Sequence, residues 1–158
     1  MAKKNKNQPV EARIEIERRW GDSDFRQALV LGRGSPFLDV QNEIDWHEHR
    51  KLLKVAFELA VDADSATYEI PYGTIGRTGK PRTQAERAKF EVPGQRWADV
   101  SADGYGVSIL NDSKYGWDYK GNVLRLSLLR SPVWPDSLAD RGRRVRAVAS
   151  AGRRRLGA

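Results

Sequence analysis

The chain reads as an all-β protein, an antiparallel β-sandwich with disordered basic tails. Three observations predict this. Apolar and polar side chains alternate with a period of two over four long stretches, the mark of strands with one face in a core. Turn residues separate those stretches, and no helical period intervenes. With 158 residues, 39% hydrophobic and 31% charged, the chain has the size and core of one domain.

The elements follow in order. Residues 1–10 carry Lys3, Lys4 and Lys6 with no acid and are read as a disordered basic tail. A β-domain is expected over residues 11–142. Its first strand alternates Ala12, Ile14 and Ile16 with Arg13, Glu15 and Glu17. After a turn at residues 21–24 comes a shorter strand over 27–31, and then a long one in which Leu38, Val40, Asn42, Ile44 and Trp46 share a face. Leu53, Val55, Phe57, Leu59 and Val61 form one face of the next. Short strands are expected over 67–72, 88–92, 97–100 and 106–110, and Leu124, Leu126 and Leu128 line a last one that ends with Arg130. Residues 73–87 are polar, contain Gly76, Gly79 and Pro81, and are read as a long loop ending in a short turn over 84–87. From Gly142 onward, 13 of 17 residues are Ala, Gly or Arg. Residues 143–158 are therefore read as a disordered basic tail, a composition that out-of-frame reading of a GC-rich gene also produces.

The net charge of +7 sits at the ends. Residues 11–140 hold 18 basic and 21 acidic side chains, so the folded part is mildly acidic and no specific nucleic-acid interface is expected. No apolar run approaches the roughly 20 residues of a membrane span, and no secretory leader is recognised, so the expected location is cytoplasmic. The absence of cysteine excludes a disulfide scaffold, a thiolate zinc site and a cysteine nucleophile.

Candidate chemistry is sparse. His47 and His49 lie two residues apart and on a strand would share a face, but two imidazoles do not complete a zinc site, and no metal ligand set is predicted. No nucleophile elbow occurs, and the glycine-rich run 73–80 lacks a phosphate-loop ending because Pro81 follows Lys80. Asp99, Asp112, Asp118, Asp136 and Asp140 lie in polar contexts without forming a recognisable acid pair, so no catalytic residue is predicted. The aromatic cluster is more suggestive. Tyr115, Trp117 and Tyr119, near Asn111 and Asp112, have the mix of rings and polar groups that stacks on sugars and bonds their hydroxyls. The same rings also suit the core of a sandwich.

Several strings carry a family resemblance: residues 44–48, 51–57, 66–73, 88–93, 96–99, 105–107, 110–116, 121–132 and 139–142. Over residues 11–142 they are similar to the C-terminal β-rich part of the α-mannosidases of glycoside hydrolase family 38, in the cytosolic and vacuolar branch. The resemblance implies that the complete enzyme is a retaining hydrolase of terminal α-linked mannose, with an aspartate nucleophile, a second acid and zinc in a preceding catalytic domain. None of those groups matches a position here. The chain is therefore expected to be a fragment, inactive alone and without a cofactor of its own. Its expected partners are the catalytic domain and a mannose-containing saccharide.

The family's C-terminal domain lends an arginine to the rim of the mannose pocket, and Arg130 is the nearest match by position. Asn111 and Asp112 join it as rim candidates, with Tyr115, Trp117 and Tyr119 as stacking candidates. The chain departs from the family pattern at His49-Arg50, where the order is reversed, at Ser113, where cysteine is common, and over residues 77–86. It also departs after Gly142, where the family continues with another strand. Two further readings are a stand-alone carbohydrate-binding module and a structural remnant that docks on a catalytic chain. The second would be marked by an exposed apolar face.

Overall fold

The computed structural model describes residues 10–132, 134 and 143–155. In chain order the elements are β1 (Glu11–Trp20), β2 (Ser23–Gly32), β3 (Phe37–Trp46), β4 (Leu52–Glu58), β5 (Ser65–Ile70) and β6 (Gly73–Thr78). A single turn of helix, α1 (Gln84–Arg87), precedes β7 (Val92–Pro93), β8 (Trp97–Ala102), β9 (Tyr105–Asn111), β10 (Gly116–Lys120), β11 (Val123–Arg130) and β12 (Arg143–Arg155). They form an eight-stranded sheet in the order β1-β2-β3-β12-β9-β8-β5-β6 and a four-stranded sheet in the order β4-β11-β10-β7. Every pairing is antiparallel, as the sandwich reading requires.

The alternation in the sequence becomes the two faces of these sheets. Ile44 and Trp46 from β3, Tyr68 from β5, Ala98 and Val100 from β8 and Ile109 from β9 point inward from the large sheet. Trp117, Leu124 and Leu126 meet them from the small one. Cross-strand partners share a face, so the register extends the same layer to Phe25, which lies opposite Ile44. In β11 the register against β4 shifts between Ser127 and Leu129, and both Leu128 and Leu129 are buried as a result.

Local chemistry sets the turns. Gly21 has φ of +60°, and a Cβ there would lie 2.3 Å from Glu48 Oε1. That same oxygen accepts from the Asp22 N–H at 3.0 Å and from Ser23 Oγ at 3.1 Å, while Ser23 Oγ accepts from the His47 N–H. Glu48 thus locks the β1–β2 turn to the end of β3. Helix α1 lies where the short turn is expected and carries a capping box between Thr83 and Glu86.

Three expectations are corrected. Residues 143–155 are not a disordered tail but β12, bonded on one side to β3 and on the other to β9. The β-domain therefore does not stop at residue 142. Composition misleads here because Arg, Ala and Gly are poor strand formers, whereas the order is strand-like: Val145, Ala147, Ala149 and Ala151 fall on the core face. The expected N-terminal tail, residues 1–9, and residues 156–158 lie outside the described residues.

The long loop is also part sheet, since residues 73–78 form β6 and pair with β5 through a tight hairpin at Pro71 and Tyr72. Its glycines and lack of apolar alternation fit an edge strand with little to bury. Finally, of the strand expected over 88–92, only Val92 is extended into β7, and Phe90 is exposed.

The placement of β12 is testable. Ala149 is 1% exposed, so Ala149→Leu overpacks the core and is expected to cost about 1–3 kcal/mol, read as a lower urea midpoint. Val148 on the outer face is the control, and Val148→Thr should change stability by no more than about 0.5 kcal/mol. A tail outside the fold would be indifferent to both.

Candidate functional site

The sequence candidates do not converge on one place. Arg130 stands exposed at the end of β11 in the small sheet, opposite Leu52, and its side chain makes no ion pair or hydrogen bond with another described residue. Asn111 ends β9 in the large sheet and is 8% exposed. Its Oδ1 accepts the N–H groups of Ser113 and Lys114, and its amide donates to the Gln95 carbonyl. That is the work of a turn-former. Asp112 is exposed and accepts from Ser113 Oγ at 3.1 Å.

The stacking platform is corrected for two of its three rings. Trp117 and Tyr119 lie two residues apart on β10, so both project from the same face, and that face is the core. Trp117 is fully buried with its ring centroid 6.3 Å from that of Tyr68. The Tyr119 hydroxyl donates to the Ala63 carbonyl and accepts from the Ala63 N–H, both at 3.1 Å. Only Tyr115, which precedes the strand, is exposed. The histidine pair is likewise not on a strand, because β3 ends at Trp46. His47 Nε2 lies 3.3 Å from Asp45, and among the described residues no three His, Cys, Asp or Glu side chains gather as a metal site would need. The described residues thus do not fit zinc.

What the fold does assemble is a network on the outer face of the small sheet. Asp118 alternates outward between Trp117 and Tyr119 and is 8% exposed. Lys54 from β4 donates to its Oδ2 at 2.6 Å and Arg125 from β11 to its Oδ1 at 2.9 Å. Lys54 also reaches Glu91, to which Ser127 Oγ donates. One carboxylate therefore ties three strands together, with charge-assisted bonds on both of its oxygens.

The second feature is a mismatch between the layers. The inward face of β1, β2 and the start of β3 extends past the free edge of β4. Where the layers part they leave a cleft of 470 Å³ lined by Ile16, Arg18, Trp20, Phe25, Ile44 and Leu53, among others. Beyond a polar row in which Gln27 donates to Asn42 at 2.8 Å, the face turns apolar. The register sets Ala12, Leu31 and Leu38 in one row and Ile14, Leu29 and Val40 in the next. Ile14 is 61% exposed, Leu31 45% and Leu38 36%. An apolar run across three strands is more than the scattered exposure of an ordinary surface. Single-strand alternation could not reveal it, because that pattern marks the inward face without saying how far the opposite sheet extends.

Two outcomes follow. Trp117→Ala is expected to cost about 3–5 kcal/mol in stability, which urea denaturation would show, rather than to remove an exposed sugar platform from an otherwise intact protein. Burial also pushes the Tyr68 phenol above the ordinary tyrosine range, against a smaller opposing pull from the Arg77 guanidinium over its ring. The folded state therefore holds the proton more tightly. Its contribution is intact below pH ~10 and is lost as pH rises above that value, where the unfolded chain ionises first. Tyr68→Phe should make the decline in stability above pH ~10 shallower, as followed by thermal melts.

Comparison with known proteins now gives the geometry a family. The family model described as the glycosyl hydrolases family 38 C-terminal domain matches residues 3–138. The human protein Alpha-mannosidase 2C1 is 44% identical over 122 residues, which span 77% of this chain but 12% of that protein. Alpha-mannosidase of Saccharomyces cerevisiae is 44% identical over 106 residues, 66% of this chain and 10% of the yeast protein. The chain thus spans about an eighth of the length of the curated relatives it matches. The crystal structure of an alpha-mannosidase from Enterococcus faecalis V583 superposes with a TM-score of 0.70 at 14% identity, covering 84% of this chain and 16% of that one, and shares the fold. Strong sequence identity across most of the sandwich, on the same fold, places this chain in glycoside hydrolase family 38 as a C-terminal β-domain.

Proposed function

We propose that the chain serves as the C-terminal sandwich of a cytoplasmic α-mannosidase, in support of the hydrolysis of terminal α-linked mannose, and that it is inactive by itself. The observation that carries this reading is the apolar overhang of β1, β2 and β3. A face with Ile14, Leu31 and Leu38 between 36% and 61% exposed is what a domain leaves uncovered when its neighbouring domain is removed. Each such side chain is worth roughly 1.5–3 kcal/mol when fully buried, so a catalytic body seated there would be firmly held.

Arg130 takes the mannose-rim role in this reading. Its exposed guanidinium has donors to spare for sugar hydroxyls, whereas Asn111 is engaged in its own turn. A stand-alone sugar-binding module finds less support, because Trp117 and Tyr119 present no free face.

The test is complementation. The purified chain alone should not hydrolyse a chromogenic α-mannoside. Mixed with a family 38 α-mannosidase expressed without its C-terminal domain, it should co-purify and restore turnover. Leu31→Glu should abolish both, and Arg130→Ala should raise KM while leaving co-purification intact. Hydrolysis by the chain alone, or restoration that is insensitive to Leu31→Glu, would overturn the proposal.

A further inference from the structure

Among the described residues, strand β1 is bonded to β2 on one side only and forms the rim of the large sheet. The hairpin determines which of its backbone groups remain free. Trp20 and Ser23 close a turn of two residues, so that pair and every second pair along the ladder exchange hydrogen bonds. The Arg33 N–H bonds to the Val10 carbonyl at 2.8 Å in the same phase. The N–H and C=O groups of Glu11, Arg13, Glu15, Glu17 and Arg19 therefore point away from β2 along the full length of the strand. A regular edge of this length is a template for another strand unless its side chains prevent pairing.

The side chains favour one pairing. We propose that β1 joins β1 of a second copy, antiparallel, about a twofold axis that passes through Glu15 perpendicular to the sheet. In that register Glu11 faces Arg19 of the second copy and Arg13 faces its Glu17, and the twofold repeats both pairs. On the inner face Ile14 meets Ile16 and Val10 meets Trp20, all with apolar surface available in the single copy, while Ala12 lies opposite Arg18. Opposite charges and apolar pairs directly across a ladder stabilise it, and like charges oppose it. Only Glu15 meets itself. Each Glu15 already holds its own Arg13 at 2.7 Å, so the two carboxylates arrive with two guanidiniums.

Neighbouring registers fail. A slip of two residues one way sets Arg13 against Arg19 and Glu15 against Glu17, and a slip the other way keeps only Arg13 opposite Glu15 and sets Glu11 against Glu17 on both sides of the axis. A slip of one residue misaligns the backbone groups and the two faces. The pairs that Glu17 and Arg19 make inside one copy, with Arg26 and Asp24, are exposed and long at 3.5 and 3.9 Å, leaving both charges free to be shared. The charge pattern that would protect an edge from unlike strands thus matches this edge to itself.

The full chain should run as a dimer in light scattering across the micromolar range. Glu15→Pro removes an edge-facing N–H without touching the β2 ladder, so it should leave the circular dichroism melt in place and weaken the dimer by about tenfold or more. Arg13→Glu should also weaken it, and adding Glu17→Arg should restore it. Because the chain has no cysteine, Glu15→Cys should form an intermolecular disulfide on mild oxidation where Glu17→Cys does not. A monomer at every concentration, a dimer that withstands Glu15→Pro, no rescue by the double exchange, or equal crosslinking at both positions would each overturn the pairing. None of these readouts depends on the mannosidase assignment.

Discussion

Strand β12 is bonded on both sides, and the large sheet is continuous only because of it. To one side lie β3, β2 and β1, to the other β9, β8, β5 and β6. Without it, the facing edges of β3 and β9 would have backbone groups to satisfy in the middle of a core. Side chains reinforce the seam, with Asn42 Nδ2 donating to the Ala147 carbonyl at 3.4 Å and Ser150 Oγ bonding to Asp39 at 2.7 Å. The position also dictates composition. Ala147 and Ala149 are at most 2% exposed, and a Cβ on Gly152 would come within 2.5 Å of the Phe37 ring. Joining residues about 105 apart in sequence, this seam is a non-local closure of the kind that folds slowly.

The unequal sheets follow from the same topology. Eight strands cannot be covered by four, so one end of the large sheet must meet something other than the small sheet. At the β5–β6 end the small sheet reaches across, with Arg77 of β6 donating to the Pro93 carbonyl of β7. At the β1–β2 end only the flank near the hairpin has help. Trp20 leans on Trp46 at 6.1 Å beneath the Lys51 ammonium, while the opposite end of the strand pair keeps Ile14 and Leu31 exposed. The uncovered surface is thus a consequence of layer arithmetic and not of a few misplaced side chains.

How much was legible can be judged residue by residue. β3 is legible in the sequence because Leu38, Val40, Asn42, Ile44 and Trp46 alternate with Asp39, Gln41, Glu43 and Asp45 over nearly all of its length. β6 and β12 escape a period-two reading for one shared reason: neither carries a row of large apolar residues, the first having Ile75 alone among glycines and threonines and the second burying alanines. Trp117 and Tyr119 show the converse error. Their spacing, with Asp118 between and Lys120 after, is itself a strand pattern, and it pointed to the core as readily as to a sugar. Glu48 bonds to Ser23, 25 residues away, and Asp118 to Lys54, 64 away, as well as to Arg125 across the next strand, and none of these pairs leaves a local signature.

Whether face and edge can both be used is a question of geometry. Pairing at β1 consumes backbone groups in the plane of the sheet, whereas the overhang presents side chains perpendicular to it, so the two surfaces do not compete for the same atoms. A twofold axis perpendicular to the sheet keeps the inward faces of both copies on one side. The overhangs then adjoin across the axis into one floor, with Ile14 of one copy beside Ile16 of the other and Ala12 beside Arg18. Catalytic bodies seated on that floor would stand side by side with only two short rows of isoleucines between them. The assembly is therefore possible only if each body leans away from the axis, over β2, β3 and the cleft, where half-buried Phe25 and Leu53 line the opening.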